Sequence, residues 1–501
     1  MQADPLADPV NACPPYDLVE TEEIMNPVTN SPNPGRTTIQ DPGINATNAS
    51  ASKAETTEKV NNQEAAPQRH EPVTDHSSQK TELGIEGSAR SVQLESRLNQ
   101  ANAMNGKGWK KLSDPVREKL TGVLNGNEGA DSQKALTDLT SSPKFQKLTP
   151  YIQQQVLETA ATDSKALKSN VLQKLTESDG FQKLDPRHQI DALEVFQNCN
   201  ASGRSELVDL ANRSITRDGK TIPAFLDPDM RGALLIENLH HMATRDLSPY
   251  MMNTEGARQR LLASVMQESG KPGEIEQGHH GTCTVTTTQY MLCSQNPSEY
   301  IRIMDGLSTD GLAILRNGKT LRRVNDSMAD DASIQRSPSE RLFQAAMMDY
   351  CNGDRRYSNK IDEKTGYDYD IQTNGKKNVA SLGPKEVLAG MEAIFGKSFH
   401  YVKDKSEAMT ILEQRSHATS DADRQAKLTV FWKGQGSMHA VVFEKIENGR
   451  VYIRESSGIR NITKGEFISE LDPPTRVEDP AKGVWSLSVE DFKKIYVDVA
   501  V

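Results

Sequence analysis

The spacing of apolar residues along the chain changes character twice. Over residues 1–100 no apolar period holds; Pro, Asn, Thr, Ser, Gln and Glu dominate, and the single aromatic is Tyr16. Such a stretch buries too little apolar surface to offset the entropy of ordering, so it reads as disordered: a tail or linker, or an export or chaperone-binding leader or removable pro-segment. From 105 onward a helical period sets in and recurs. Trp109-Lys110-Lys111-Leu112, Phe145-Gln146-Lys147-Leu148 and Phe181-Gln182-Lys183-Leu184 start 36 residues apart, and Pro115, Pro150 and Pro186 follow them. Asp114, Thr149 and Asp185 stand just before those prolines, which is N-cap chemistry with Pro in the first helical turn. Apolar positions such as Ile152, Val156, Leu157 and Ile190, Leu193, Val195, Phe196 then follow at helical spacing, and a second helical run covers 164–175. Ala224-Phe225-Leu226-Asp227-Pro228 is a looser fourth copy, with Asp227 as the N-cap candidate before Pro228. The pattern predicts an all-α region over 101–250, a regular array of helix pairs or an ordinary irregular helical domain, serving as a binding or spacing module for a protein partner.

Past 250 the period predicts helices over 257–266, 298–307, 339–351 and 383–395, with a polar loop over 352–377. It then shortens to two: 427–433, 439–446 and 450–455 alternate like strands, with Asn448-Gly449 as a hairpin turn between the last two. A short helix over 489–494 and a strand over 495–499 close the chain. Helices first and antiparallel strands second predict an α+β domain over 251–501.

Composition sharpens this picture. Of the net charge of −10, residues 1–100 carry −8, so the rest is close to neutral and lacks the basic stripe of a nucleic-acid binder. The five cysteines are scattered, odd in number and without a CxxC pair, which argues against a disulfide framework or a zinc site and for a reducing compartment at synthesis. The start has no basic-then-apolar Sec signal, and no apolar run is long enough to span a membrane. The expected location is cytoplasmic, or outside the cell by a dedicated signal-less route.

The chemistry gathers around Gln277-Gly278-His279-His280-Gly281-Thr282-Cys283. A thiol at a helix start, beside an imidazolium, is biased towards the nucleophilic thiolate. Glycine before Cys283 permits the sharp entry, although Thr284-Val285-Thr286-Thr287-Thr288 is β-branched and a poor helix former. His439 opens a strand and Glu455 ends its hairpin partner. The two are not level, but a bulge or side-chain reach would let Glu455 accept the Nδ1–H of His439 and fix its tautomer. Gln277 and the backbone N–H of Cys283 would then receive the oxyanion. His279-His280 with Cys283 lacks a fourth ligand for a metal. No cofactor is called for.

These segments resemble papain-like cysteine proteases. Gln277-Gly278-x-x-Gly281-Thr282-Cys283 is similar to the family's Gln-Gly-x-x-Gly-Ser-Cys element, Met438-His439-Ala440-Val441 to its Asp/Asn-His-Ala-Val segment, and Arg454-Glu455-Ser456-Ser457-Gly458 to its Lys-Asn-Ser-Trp-Gly block. Trp485-Ser486-Leu487-Ser488-Val489-Glu490-Asp491-Phe492 resembles the closing segment of the calpain branch. The resemblance, over about residues 265–501, implies a fold of one helical and one β lobe. It also implies Cys283 as nucleophile, His439 as general base, Gln277 as oxyanion donor, Glu455 in the place of the family's Asn, and a protein or peptide substrate. Ser457 and Thr284 stand where the family has tryptophans, and no acidic cluster supports calcium dependence. Two alternatives stay open: a glutamine deamidase or transglutaminase with the same triad, and an inactive papain-like binding scaffold.

Overall fold

The computed structural model describes residues 114–125, 129–217, 219–251, 255–278, 280–324, 336–353, 356–359, 367–370, 375–378, 382–432, 437–455, 464–468 and 471–501. The readings of 1–100 as disordered and of Trp109 to Leu112 as a first repeat copy lie outside these residues. All the described residues belong to one compact unit, which is mixed α+β.

The first part is helical: α1 (Asp114–Asn125), α2 (Gly129–Ser141), α3 (Pro143–Lys147), α4 (Pro150–Thr162), α5 (Ser164–Lys168), α6 (Val171–Glu177), α7 (Asp179–Lys183), α8 (Pro186–Asn198) and α9 (Ala201–Asn212). The 36-residue repeat is physical in two copies. In each, a five-residue helix buries one phenylalanine, Phe145 or Phe181, and a longer helix begins at the following proline. Thr149 caps α4 by accepting from Ile152 N, and Asp185 caps α8 by accepting from Arg187 N and His188 N. Gln153 and Gln189 hold the same place in the two copies, and their side-chain amides donate to the carbonyls of Phe145 and Phe181 at 3.2 and 3.0 Å.

The looser fourth copy departs from the pattern. Ala224–Leu226 is a single 3₁₀ turn, Pro228 bridges to Leu234, and the helix starts at Leu235 rather than at the proline. The reason is that Asp227 caps no helix of its own. Its carboxylate accepts from Arg217 Nη1 at 2.6 Å and from Ser298 N at 3.1 Å, which ties it to the hairpin β1 (Ser214–Arg217) and β2 (Lys220–Pro223) and to a helix far downstream.

Next come α10 (Leu235–Thr244), α11 (Ala257–Gly270), α12 (Cys283–Gln295), α13 (Pro297–Ser308), the hairpin β3 (Leu312–Ile314) and β4 (Thr320–Arg322), and α14 (Pro338–Asn352). Within the expected loop of 352–377 the structure places a hairpin, β5 (Tyr367–Asp370) paired with β6 (Gly375–Asn378). Tyr-Asp-Tyr-Asp is itself a period-two pattern, which the overall polarity of the stretch concealed. α15 (Pro384–Phe395) follows.

One hydrophobic core runs through all these helices, from Leu120 to Phe399 and on to Val442 and Ala500. It crosses residue 250 without a break: α9 packs on α11 and α10 on α13. Arg213, just after α9, donates to the carbonyls of Cys293 (2.9 Å) and Ser294 (3.0 Å) at the end of α12, and to Ser269. It thereby satisfies helix-end carbonyls and places a cation at the negative end of the helix dipole.

The second core lies in an eight-stranded antiparallel sheet ordered β11-β12-β13-β10-β9-β8-β14-β7. Its strands are β7 (Tyr401–Val402), β8 (Ala426–Trp432), β9 (Ser437–Glu447), β10 (Arg450–Arg454), β11 (Phe467–Ile468), β12 (Thr475–Asp479), β13 (Val484–Ser488) and β14 (Tyr496–Ala500). Helices α16 (Lys405–Ser416), α17 (Asp421–Arg424) and α18 (Val489–Ile495) flank it. Asn448 and Gly449 both have positive φ, 51° and 70°, as the two-residue turn between β9 and β10 requires. Both edge strands are two residues long, which leaves little exposed backbone for adventitious pairing. Among the described residues, no helix is long and apolar enough to cross a membrane.

Candidate active site

Cys283 is the first residue of α12 and is buried. The β-branched run after it is helical because the whole segment from Val285 to Ser294 is buried between the other helices and the sheet. Tertiary burial outweighs a propensity deficit of a few tenths of a kcal/mol per residue, about the spread among ordinary residues. The threonines also bond back along the helix: Thr286 Oγ1 donates to Thr282 O at 2.9 Å, and Thr287 and Thr288 donate to Thr284 O at 2.8 and 3.0 Å.

His439 enters β9 directly opposite Val430 of β8. Its Nε2–H donates to Glu455 Oε1 at 2.5 Å, and the ring also hydrogen-bonds Cys283. The sequence predicts Nδ1 for this contact; Nε2 makes it instead, which leaves Nδ1 for the thiol. Burial alone would lower the imidazole pKa. The hydrogen bonds to Cys283 and Glu455, with the charge on each, overcome this and push it up to about 10. The ring therefore carries a proton at neutral pH, and a protonated ring between thiol and carboxylate favours the thiolate.

A β-bulge brings Glu455 to His439. Near the turn β10 pairs in simple register, Val451 with Ile446 and Tyr452 with Lys445; then the register shifts, and Ile453 pairs with Phe443 and Arg454 with Val442. Glu444 is the extra residue. Side chains alternate faces, so a slip of one residue exchanges them. Unbulged pairing would set Glu455 level with Val442, on the face opposite His439. With the bulge, Glu455 follows on the face of Ile453, Phe443 and Val441, which His439 shares. Gly483 (φ 61°) then holds it: Glu455 N donates to Gly483 O at 2.9 Å, and a Cβ at this glycine would meet the Glu455 carbonyl at 2.5 Å.

Trp432 packs beside His439. Its ring centroid lies 6.3 Å from that of His439, and Trp485 packs edge-on against it at 6.2 Å. The sheet register carries this signal: Trp432 lies two residues beyond Val430, the partner of His439.

Gln277 is buried on the loop between the 3₁₀ turn Pro272–Glu274 and Cys283. A polar network behind α12 secures this loop. Glu340 Oε1 accepts from Glu276 N at 2.6 Å, Gln344 Nε2 donates to Glu276 O at 2.8 Å, and Thr282 Oγ1 donates to Gln344 Oε1 at 2.9 Å. Gln344 and Gln289 link the network to buried Glu268. Burial pushes both carboxyls up, and with the neighbouring charge of Glu268 it takes Glu340 to about 8. Lys427, buried at the start of β8, is drawn down by burial and supported by the charges of Asp498 and Cys283.

The structure thus brings Cys283, His439 and Glu455 into one hydrogen-bonded chain and sets Gln277 on the loop that leads to the thiol. Among the described residues no cluster of His, Cys, Asp or Glu is suited to a metal ion. The chain matches no family model, no curated protein and no solved structure.

Proposed function

We propose that the chain is a cysteine endopeptidase that hydrolyses peptide bonds in a protein or peptide substrate through a thioester acyl-enzyme. The observation that carries this reading is the buried chain of Cys283, His439 and Glu455, with the thiol at a helix N-terminus. Cys283 Sγ attacks the scissile carbonyl carbon, and the oxygen takes up negative charge beside the Cys283 N–H and Gln277. As the carbonyl re-forms and the C–N bond breaks, His439 gives its Nδ1 proton to the leaving amine. A water then loses a proton to His439 and attacks the thioester, and the thiolate leaves. Glu455 holds the ring in one orientation and stabilises its charged form throughout.

Glu455 supplies a carboxylate where the papain-like pattern has an amide, which favours a second reading: the same steps on a glutamine side chain, as a deamidase or transglutaminase. One incubation with an unfolded protein separates the two. The peptidase reading expects new amino termini in step with substrate loss, absent from Cys283→Ala, and no ammonia. Ammonia without new termini would overturn it in favour of the second.

A further inference from the structure

Arg454 lies between the two halves of the site. It precedes Glu455 in the chain and is 1% exposed, among the largest fully buried side chains. Its Nη2 donates to the carbonyls of Ile275 at 2.6 Å and Gly273 at 3.0 Å, with that of Pro272 at 3.4 Å. The guanidinium stacks 4.2 Å from the ring centroid of Tyr290 on α12, and the Tyr290 hydroxyl donates to Glu444, the bulge residue, at 2.5 Å. The loop it grips also packs on the turn that holds Glu455: a Cβ on Gly273 would meet the Lys482 side chain at 2.9 Å, one residue from Gly483. One side chain therefore connects the strand of Glu455, the helix of Cys283 and the loop of Gln277.

We propose that Arg454 is a positioning residue that sets the Gln277 loop in register with Cys283, His439 and Glu455, and so acts on turnover through the oxyanion donor. The inference rests on the peptidase reading above. Ile275 is two residues from Gln277, a span of at most about 7 Å, so displacement of its carbonyl passes to Gln277 with little slack. Nη2 alone meets the three carbonyls while the guanidinium plane stacks on the Tyr290 ring; an ammonium can donate to carbonyls but has no planar face to stack. A misplacement of about 1 Å costs on the order of 10²-fold in rate.

The test is a double-mutant cycle of Arg454→Met and Gln277→Ala in the full chain, read by peptide hydrolysis and by alkylation of Cys283 with iodoacetamide, which needs no oxyanion donor. Arg454→Met should lower kcat about 10²-fold with KM within about threefold, and leave the alkylation rate and its pH profile near wild type. Gln277→Ala alone should cost about 10²–10³-fold in kcat, and adding Arg454→Met should cost less than about threefold more. Arg454→Lys should fall between wild type and Arg454→Met. Additive losses, or alkylation falling in step with turnover, would overturn the proposal while leaving the peptidase reading standing. A wild-type chain that is alkylated at Cys283 but cleaves nothing would overturn both. If Arg454→Met does not fold, the cycle is read with Arg454→Lys; if neither folds, Arg454 is a structural residue and the proposal fails.

Discussion

Replacing Glu455 with alanine is expected to lower turnover by about 10³–10⁴-fold while leaving a folded chain. The carboxylate is one of two groups that keep the buried imidazole charged, the other being Cys283. Without it, burial opposes the charge and only the thiol side supports it, so the ring pKa should fall from about 10. The ring then holds the charge that supports the thiolate less firmly, and it loses the contact that fixes its orientation. Removing one partner of a buried ion pair commonly costs about 3–5 kcal/mol in stability. Here His439 can discard its proton instead, so the cost to the fold should lie below that range. Glu455→Gln keeps an acceptor oxygen without the charge and should retain more activity than alanine. Steady-state kinetics with a thermal melt on each variant check this. Turnover within about tenfold of wild type in Glu455→Ala would show that the residue does not orient the base.

Removing residues 1–250 is expected to abolish folding rather than release an independent catalytic domain. The cut would strip α9 from α11 and α10 from α13 and open the shared core to which Leu261, Leu262, Val265 and Ile301, all fully buried or nearly so, belong. At ~1.5–3 kcal/mol for each such side chain, four of them amount to ~6–12 kcal/mol, comparable with the net stability of a whole domain. The cut also removes Arg213 from the carbonyls of Cys293 and Ser294, so the helix of Cys283 loses the cation at its far end. Circular dichroism and a denaturant titration of residues 251–501 should show no cooperative transition. A cooperative fold with wild-type reactivity at Cys283 would mean that the helical part is a separable module after all.

What was legible in the sequence follows from how local its causes are. The caps at Thr149 and Asp185 act within one turn, so the repeat and its helix starts could be read directly. Asp227 carries the same letters but answers to Arg217 and Ser298, and no local rule reveals that. The helix after Cys283 ran against its propensity because burial decided it. In the site, the chain order of Gln277, Cys283, His439 and Glu455 was visible, and so was the Asn448-Gly449 turn. A bulge was one of the two expected ways for Glu455 to reach His439, but its position at Glu444 was not legible, since register is settled by packing on both sides of the sheet. The contacts of Trp432 with His439 and of Arg454 with Tyr290 and Ile275 were not legible for the same reason: they join residues of separate elements.

The central claim is that Cys283 and His439 form an activated pair, and the pH dependence of Cys283 alkylation tests it most directly. With the imidazole pKa pushed up to about 10, the ring stays charged from acid through neutral pH and supports the thiolate across that range. Wild type should therefore react with iodoacetamide at about pH 6 within about tenfold of its rate at about pH 9. His439→Ala should behave as an ordinary thiol of pKa near 8.5, some 10²-fold or more slower at the lower pH, with adducts at Cys283 located by mass spectrometry. The same steep profile in wild type and in His439→Ala would contradict the account.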